Sequence, residues 1–147
     1  MTASNTVLQL KAIWDHQRVK VGGPIVEADV DAFESNYNIN LPTDFREYLI
    51  ALNGMQDGVS DENLTRFWQL REIQQFIDDD TENNPAVVNY YVFADYCLNI
   101  FLYAIKLLPA ESCSGQIYIL GGETHVLIAE TFTDFVSLYL KGEPITI

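Results

Sequence analysis

The stretch Ile39-Asn40-Leu41-Pro42-Thr43-Asp44-Phe45-Arg46-Glu47-Tyr48-Leu49-Ile50-Ala51-Leu52-Asn53-Gly54 carries its own start and stop signals. Pro42 stands where a helix can begin, because an N–H in the first turn has no intrahelical partner and proline lacks one. Asp44 and Glu47 place negative charge near the positive end of the helix dipole. Phe45, Tyr48, Leu49 and Leu52 recur at i, i+3, i+4 and i+7, the spacing of one buried stripe. Asn53-Gly54 then offers two residues that tolerate the left-handed conformation ending many helices. The spacing predicts a capped core helix and by itself names no chemistry.

Upstream, Val7, Leu10, Ile13 and Trp14 share helical spacing, with Ser4 or Asn5 available as N-cap. Gly22-Gly23-Pro24 interrupts the chain, and a second helical pattern follows over 27–37, with Val30, Phe33 and Tyr37 on one face. Downstream the character changes. Residues 55–63 read as a loop, 66–70 as a first strand and 71–76 as a helical turn leading into an acidic loop at 78–84. Strands are expected at 89–94, 98–107, 116–120 and 126–129, which are rich in Tyr, Phe, Ile and Val. A closing helix is expected at about 132–140, with Thr131 and Asp134 resembling a capping box. The short connections favour antiparallel neighbours. The fold class is therefore α+β: N-terminal helices, a mainly antiparallel sheet of roughly four to six strands, and a C-terminal helix packed on the sheet.

A chain of 147 residues suits one domain. Its extreme property is a formal net charge of −13, from 21 acidic against 8 basic residues. Phosphate neutralisation needs clustered Lys and Arg, so direct nucleic-acid binding is disfavoured. An anionic membrane would repel the same surface, and no apolar run approaches the ~18 residues of a membrane span. A basic protein partner would be attracted and steered. With no basic segment followed by an apolar block at the N-terminus, and only Cys97 and Cys113 as thiols, a cytoplasmic setting is expected.

Few residues fall in catalytic or metal-binding patterns. His16 and His125 lie in separate segments without ligand spacing. Cys113 has no flanking cation to activate it, and Cys97, before an apolar strand, reads as a core residue. Gly121-Gly122 lacks the lysine and hydroxyl of a phosphate cradle and suits a hairpin turn. The run Asp78-Asp79-Asp80-Thr81-Glu82 fails the calcium-loop pattern at its sixth and twelfth places, Asn83 and Asn89. No catalytic residues, cofactor or metal ligands are nominated.

Several segments, in order, resemble the SUKH superfamily, specifically its Smi/Knr-type branch. They are Phe33-Glu34; Leu41-Pro42-x-Asp44-Phe45-x-x-Tyr48-Leu49-x-x-x-Asn53-Gly54; Phe67-Trp68-x-Leu70-x-Glu72-Ile73; and Phe93-Ala94-Asp95-Tyr96. Tyr103-Ala104-Ile105, Val126-x-Ile128-Ala129 and Thr131-Phe132-x-x-Phe135-x-x-x-Tyr139-Leu140 complete the series. The branch often carries a glycine-rich segment near its central strands, where this chain has Asp95-Tyr96-Cys97-Leu98. The resemblance implies a single SUKH-like domain over 1–147, with a family-like core at about 27–142 and a helical extension at 1–26.

It also implies an α+β, non-enzymatic interaction module. Bacterial members of the superfamily are widely immunity proteins that neutralise polymorphic toxins; yeast relatives act in regulation of cell-wall synthesis. Two functions are therefore expected: masking the active site of a cognate toxin, or serving as a regulatory or assembly adaptor for an endogenous protein. Acidity favours a basic toxin domain such as a nuclease as partner. The candidate contacts are Asp57, Asp61, Glu62, Asp78, Asp79, Asp80 and Glu82, all in expected loops around the sheet.

Overall fold

The computed structural model describes residues 4–76, 89–109, 115–122, 124–143 and 145–146. Helix α1 (Asn5–His16) starts at Ser4, whose Oγ accepts the Val7 N–H at 3.3 Å. Leu10 and Trp14 on its inner face are fully buried. Helix α2 (Glu27–Tyr37) has the expected bounds; the Asp29 carboxylate accepts the Val26 N–H at 2.8 Å, closing its first turn. Helix α3 (Thr43–Ala51) begins one residue later than expected. Pro42 occupies the N-cap with extended backbone (φ −58°, ψ 148°), so its missing N–H falls just ahead of the first turn. Asn53 (φ 54°) and Gly54 (φ 65°) turn the chain left-handed after the helix, as their chemistry predicts.

The remaining elements are β1 (Thr65–Phe67), a 3-10 turn at Leu70–Glu72, β2 (Gln74–Gln75), β3 (Tyr90–Tyr96), β4 (Phe101–Lys106), β5 (Ile117–Gly121), β6 (Thr124–Ala129) and α4 (Phe132–Tyr139). Their six strands form one sheet in the order β1-β3-β4-β5-β6, and β2 pairs β3. Every pairing is antiparallel. The α+β class with helices at both ends of the chain is thus realised.

Several boundaries differ from the sequence reading: β3 runs past 94 to Tyr96, β6 starts at Thr124 ahead of 126, and three other differences change the path of the chain. The strand expected at 66–70 stops at Phe67, because the Glu72 carboxylate accepts the Gln69 N–H at 3.1 Å and starts the 3-10 turn there. The helical turn expected at 71–76 is only that short turn, after which the backbone extends into β2. The strand expected from residue 98 starts at Phe101. Cys97, Leu98 and Asn99 hold φ values of 51°, 55° and 71°, and the Ile100 N–H closes back on the Tyr96 carbonyl at 3.0 Å. Cys97 is accordingly half-buried in this turn and not a core residue. The acidic run 78–82 and Cys113 lie outside the described residues.

The helices cover one face of the sheet. There Phe45, Tyr48 and Leu49 of α3 and Phe132, Phe135 and Val136 of α4 are buried in one core with Phe67, Phe93, Tyr103, Ile105 and Ile119. Ring pairs knit it together: Phe45–Phe93 (5.5 Å), Phe93–Phe135 (5.4 Å), Phe67–Tyr139 (5.0 Å) and Trp14–Phe67 (5.1 Å), all within the range in which edge contacts stabilise. Trp14 places α1 in this same core. A register shift between Val92 and Ala94 lets Phe93 and Ala94 both join it. The opposite face carries a smaller cluster of Tyr90, Ala104 and Leu120, with Phe76, Leu102 and Tyr118 against it.

Candidate functional site

Of the seven carboxylates nominated from sequence, Asp57, Asp61 and Glu62 can be placed; Asp78, Asp79, Asp80 and Glu82 lie outside the described residues. Asp57 is exposed and paired with Arg71 at 2.6 Å, an ion pair in water that contributes little to stability. Glu62 is exposed, and its backbone N–H donates to the Gln17 side chain at 2.9 Å. Asp61 is only 5% exposed. Its carboxylate accepts the N–H groups of Asn63 (2.8 Å) and Thr65 (3.0 Å) and the Tyr139 hydroxyl (2.5 Å). That side chain holds the 61–65 turn to α4, so its oxygens are occupied inside the fold. Burial, and next the Asp61 charge, push the Tyr139 phenol above its ordinary range.

A second polar group, not nominated from sequence, sits where β1 meets β3. Arg66 and Asp95 are register partners. The Trp68 indole N–H donates to Asp95 at 2.6 Å, Arg66 approaches Asp95 at 3.5 Å and Glu72 at 2.9 Å, and the guanidinium lies 5.4 Å from the Trp68 ring centre. Asp95 is 5% exposed, so a buried carboxylate is answered by an indole and a cation. The network joins the strand to the 3-10 turn. Farther along the same sheet face, Tyr90 and His125 share a 3.1 Å hydrogen bond. Burial, with Tyr118 adding to it, pushes the Tyr90 phenol up to about 12.

An open groove of about 620 Å³ runs between α2 and the 3-10 turn. Its apolar floor includes Phe33, Leu70 and Ile73. Asn53, also in its lining, gives its Nδ2 to the Gly23 carbonyl (2.7 Å) and takes the Leu70 N–H on Oδ1 (2.8 Å). Arg71 at the rim is held by Asp57. These groups are used in tying three segments together. Among the described residues no group of three or more His, Cys, Asp or Glu is placed to share a metal ion, and no helix is long and apolar enough to cross a membrane.

One surface feature escaped the sequence reading. Leu98 is 94% exposed, Ile100 60% and Leu64 53%. Leu64 has φ 66°, and its carbonyl accepts the Cys97 N–H at 2.9 Å, which sets it beside the turn that carries Leu98. Non-glycine residues held left-handed cost about 1–2 kcal/mol each, and Leu64, Cys97 and Leu98 all adopt this conformation. The only signal in the sequence was the departure from a glycine-rich pattern at 95–98; the residues themselves read as a strand start.

Signature residues also acquire physical roles. Glu34 accepts the Leu41 N–H (2.8 Å) and pairs with Arg46 (3.0 Å), which reaches Asp31 as well (2.8 Å), so α2 is bolted to the start of α3. A Cβ on Gly54 would meet the Trp68 carbonyl oxygen at 2.4 Å, so only glycine allows that close approach. A search among curated proteins finds no match. Residues 24–138 match the SMI1 / KNR4 family (SUKH-1) as a whole, spanning α2 through nearly all of α4. With the motif helix, the antiparallel sheet and the closing helix in their expected order, the chain belongs to the SMI1 / KNR4 family (SUKH-1).

Proposed function

We propose that this chain is a cytoplasmic, non-enzymatic immunity module that neutralises a cognate toxin by covering its active site. The observation that carries the reading is the family match over 24–138; the resemblance implies immunity, the widespread role of bacterial members of the superfamily. Charge adds the partner's chemistry. A toxin domain that cleaves nucleic acid needs a cationic cleft, and a chain of net charge −13 is drawn to one and can stand in for its phosphates. Asp57 and Glu62 supply exposed carboxylates toward this end, and Asp78, Asp79, Asp80 and Glu82 are proposed to join them. Asp61 serves the same surface indirectly, by fixing the turn that presents Glu62.

The test is to seek a toxin domain among the neighbouring genes and by co-purification from the source cell, co-express it with the chain, and follow association kinetics of the purified pair across ionic strength. Rescue of growth, with an association rate that falls steeply with salt, is expected. Toxicity unrelieved by the chain refutes the immunity reading. A rate insensitive to salt refutes the electrostatic part. An adaptor for an endogenous protein is the alternative, drawn from the yeast role that the resemblance implies; it predicts a stable complex with a chromosomally encoded partner and no rescue.

A further inference from the structure

We propose that the left-handed turn joining β3 to β4, together with Leu64, is the apolar centre of the surface that docks the basic partner, with Leu98 as its anchor. The proposal rests on the reading of the chain as a binding module for such a partner and assigns the face that it uses. Three observations converge on it. Leu98, Ile100 and Leu64 place three large aliphatic side chains in water on adjoining backbone, joined by the Leu64 carbonyl and Cys97 N–H bond. Large aliphatic side chains exposed on neighbouring backbone, when they form one patch, mark interaction sites.

The backbone makes the second case. Cys97, Leu98 and Asn99 follow one another in the left-handed region, and Leu64 adopts it across the bond. Glycine would adopt the same path without strain. A residue in a disfavoured conformation whose side chain is 94% exposed gains nothing within its own fold from being leucine. Its value lies with something outside. The turn is not loose: Ile100 N–H bonds the Tyr96 carbonyl at 3.0 Å, and the Tyr96 and Phe101 rings stack at 6.1 Å beneath it. A rigid, preformed anchor binds with less ordering cost than a mobile loop.

Charge selects the occupant. Glu62 lies in the same 61–64 turn as Leu64, whose N–H donates to the Asp61 carbonyl. Glu143 follows Gly142, whose carbonyl accepts from Asn63 at 2.9 Å, and lines a small cavity with Asn63 and Thr65. Neither carboxylate is in an ion pair among the described residues. An apolar centre with unpaired carboxylates at its edge fits a partner surface that is apolar at its middle and basic around it. A second copy of this chain, itself at −13, is opposed by like charge.

The experiment uses the full chain and the purified toxin domain that the co-expression test identifies, with Leu98→Gly, Leu98→Asp and Leu8→Asp as variants. Leu8, 55% exposed on α1, is the control for an apolar side chain elsewhere. Both Leu98 variants are expected to weaken binding by about tenfold or more, chiefly through faster dissociation, while Leu8→Asp stays within about twofold of wild type. Leu98→Gly should leave the melting temperature unchanged or higher, which separates lost contact from lost fold. Wild type that fails to bind refutes the module reading, and the docking face with it. Wild-type binding that both Leu98 variants retain keeps that reading and overturns the face. A concentration-dependent dimer, seen by sedimentation and abolished in Leu98→Asp, would give the patch to a second copy and overturn the basic partner.

Discussion

The Asp44 carboxylate accepts both the backbone N–H and the hydroxyl of Thr133, each at 2.9 Å and 89 residues apart in the chain. Its other oxygen takes the Phe45 N–H at 2.8 Å. One side chain therefore satisfies donors at the N-termini of α3 and α4, where the helix dipoles favour a negative charge. The bond ties the Asp of the Leu-Pro-x-Asp motif to the first turn of the closing helix, at Thr133, just after Thr131-Phe132. Asp44→Ala should cost about 1–2 kcal/mol. The double variant with Thr133→Ala should cost less than the sum by ~0.5–1 kcal/mol, measured by urea unfolding. Strict additivity would show that the bond carries no energy.

Tyr139 donates to Asp61 and accepts from the Trp14 indole at 3.0 Å, so a single chain of hydrogen bonds links α1, α4 and the 61–65 turn. Asp61→Ala strands a buried phenol and two backbone N–H groups, and a loss of about 3 kcal/mol is expected. Asp61→Asn, which can still accept, should lose roughly half as much. Equal losses in the two variants would mean that charge, not hydrogen-bond acceptance, matters at this site.

Gly54 and Gly58 share a positive φ (65° and 75°) but differ in surroundings. An added Cβ at Gly54 meets the Trp68 backbone, whereas at Gly58 nothing lies within 4 Å. Gly58→Ala should cost only the conformational preference, about 1 kcal/mol. Gly54→Ala should cost that plus displacement of a backbone, about 3 kcal/mol or more. Similar thermal shifts for the two would argue that close approach is unimportant.

Tyr48 is fully buried in the core; its hydroxyl lies near the Gly54 backbone but makes no hydrogen bond of good geometry among the described residues. Burial also holds its phenol far above the ordinary range. Tyr48→Phe removes an unsatisfied polar atom and should be neutral or stabilising by up to ~1 kcal/mol. A loss above ~1 kcal/mol in chemical unfolding would reveal a bonded hydroxyl.

Tyr48, Tyr90, Tyr103 and Tyr139 all have phenols raised above 10.0, chiefly by burial, Tyr90 to about 12. The folded chain holds these protons more tightly than the unfolded one. Their contribution is therefore complete below pH 10 and declines as pH rises through 10 toward 12 and beyond. Tyrosinate absorbance should lag that of the urea-unfolded chain over this window, and unfolding free energy should fall across it. Coincident titration curves for the folded and unfolded chains would contradict the burial of these rings.

Local chemistry made much of the architecture legible. The bounds of α2, the stop at Asn53-Gly54 and the antiparallel arrangement follow from periodicity, capping and turn residues, which act within a few positions of one another. The 3-10 turn and β2 were harder to read, because Glu72 and the pairing of Gln74 with Val92 override weak local preferences. The strand expected from residue 98 begins only at Phe101, since Leu98 and Asn99 take a left-handed conformation that side chains disfavour.

Sequence by itself determined the class of fold, the order of its elements, the stripe of residues that becomes the core, and an acidic character that restricts what the chain can meet. Those properties sum over residues or repeat at short period, so no knowledge of neighbours in space is needed. Tertiary structure alone decided that Asp61 belongs to the interior bonding of a turn while Glu62 beside it faces water, and that Asp95, Arg66 and Trp68 converge. It also decided that Leu98 stands in solvent. Burial and hydrogen-bond pairing are set by segments that approach only after folding, and a side chain's type does not record which segments those are.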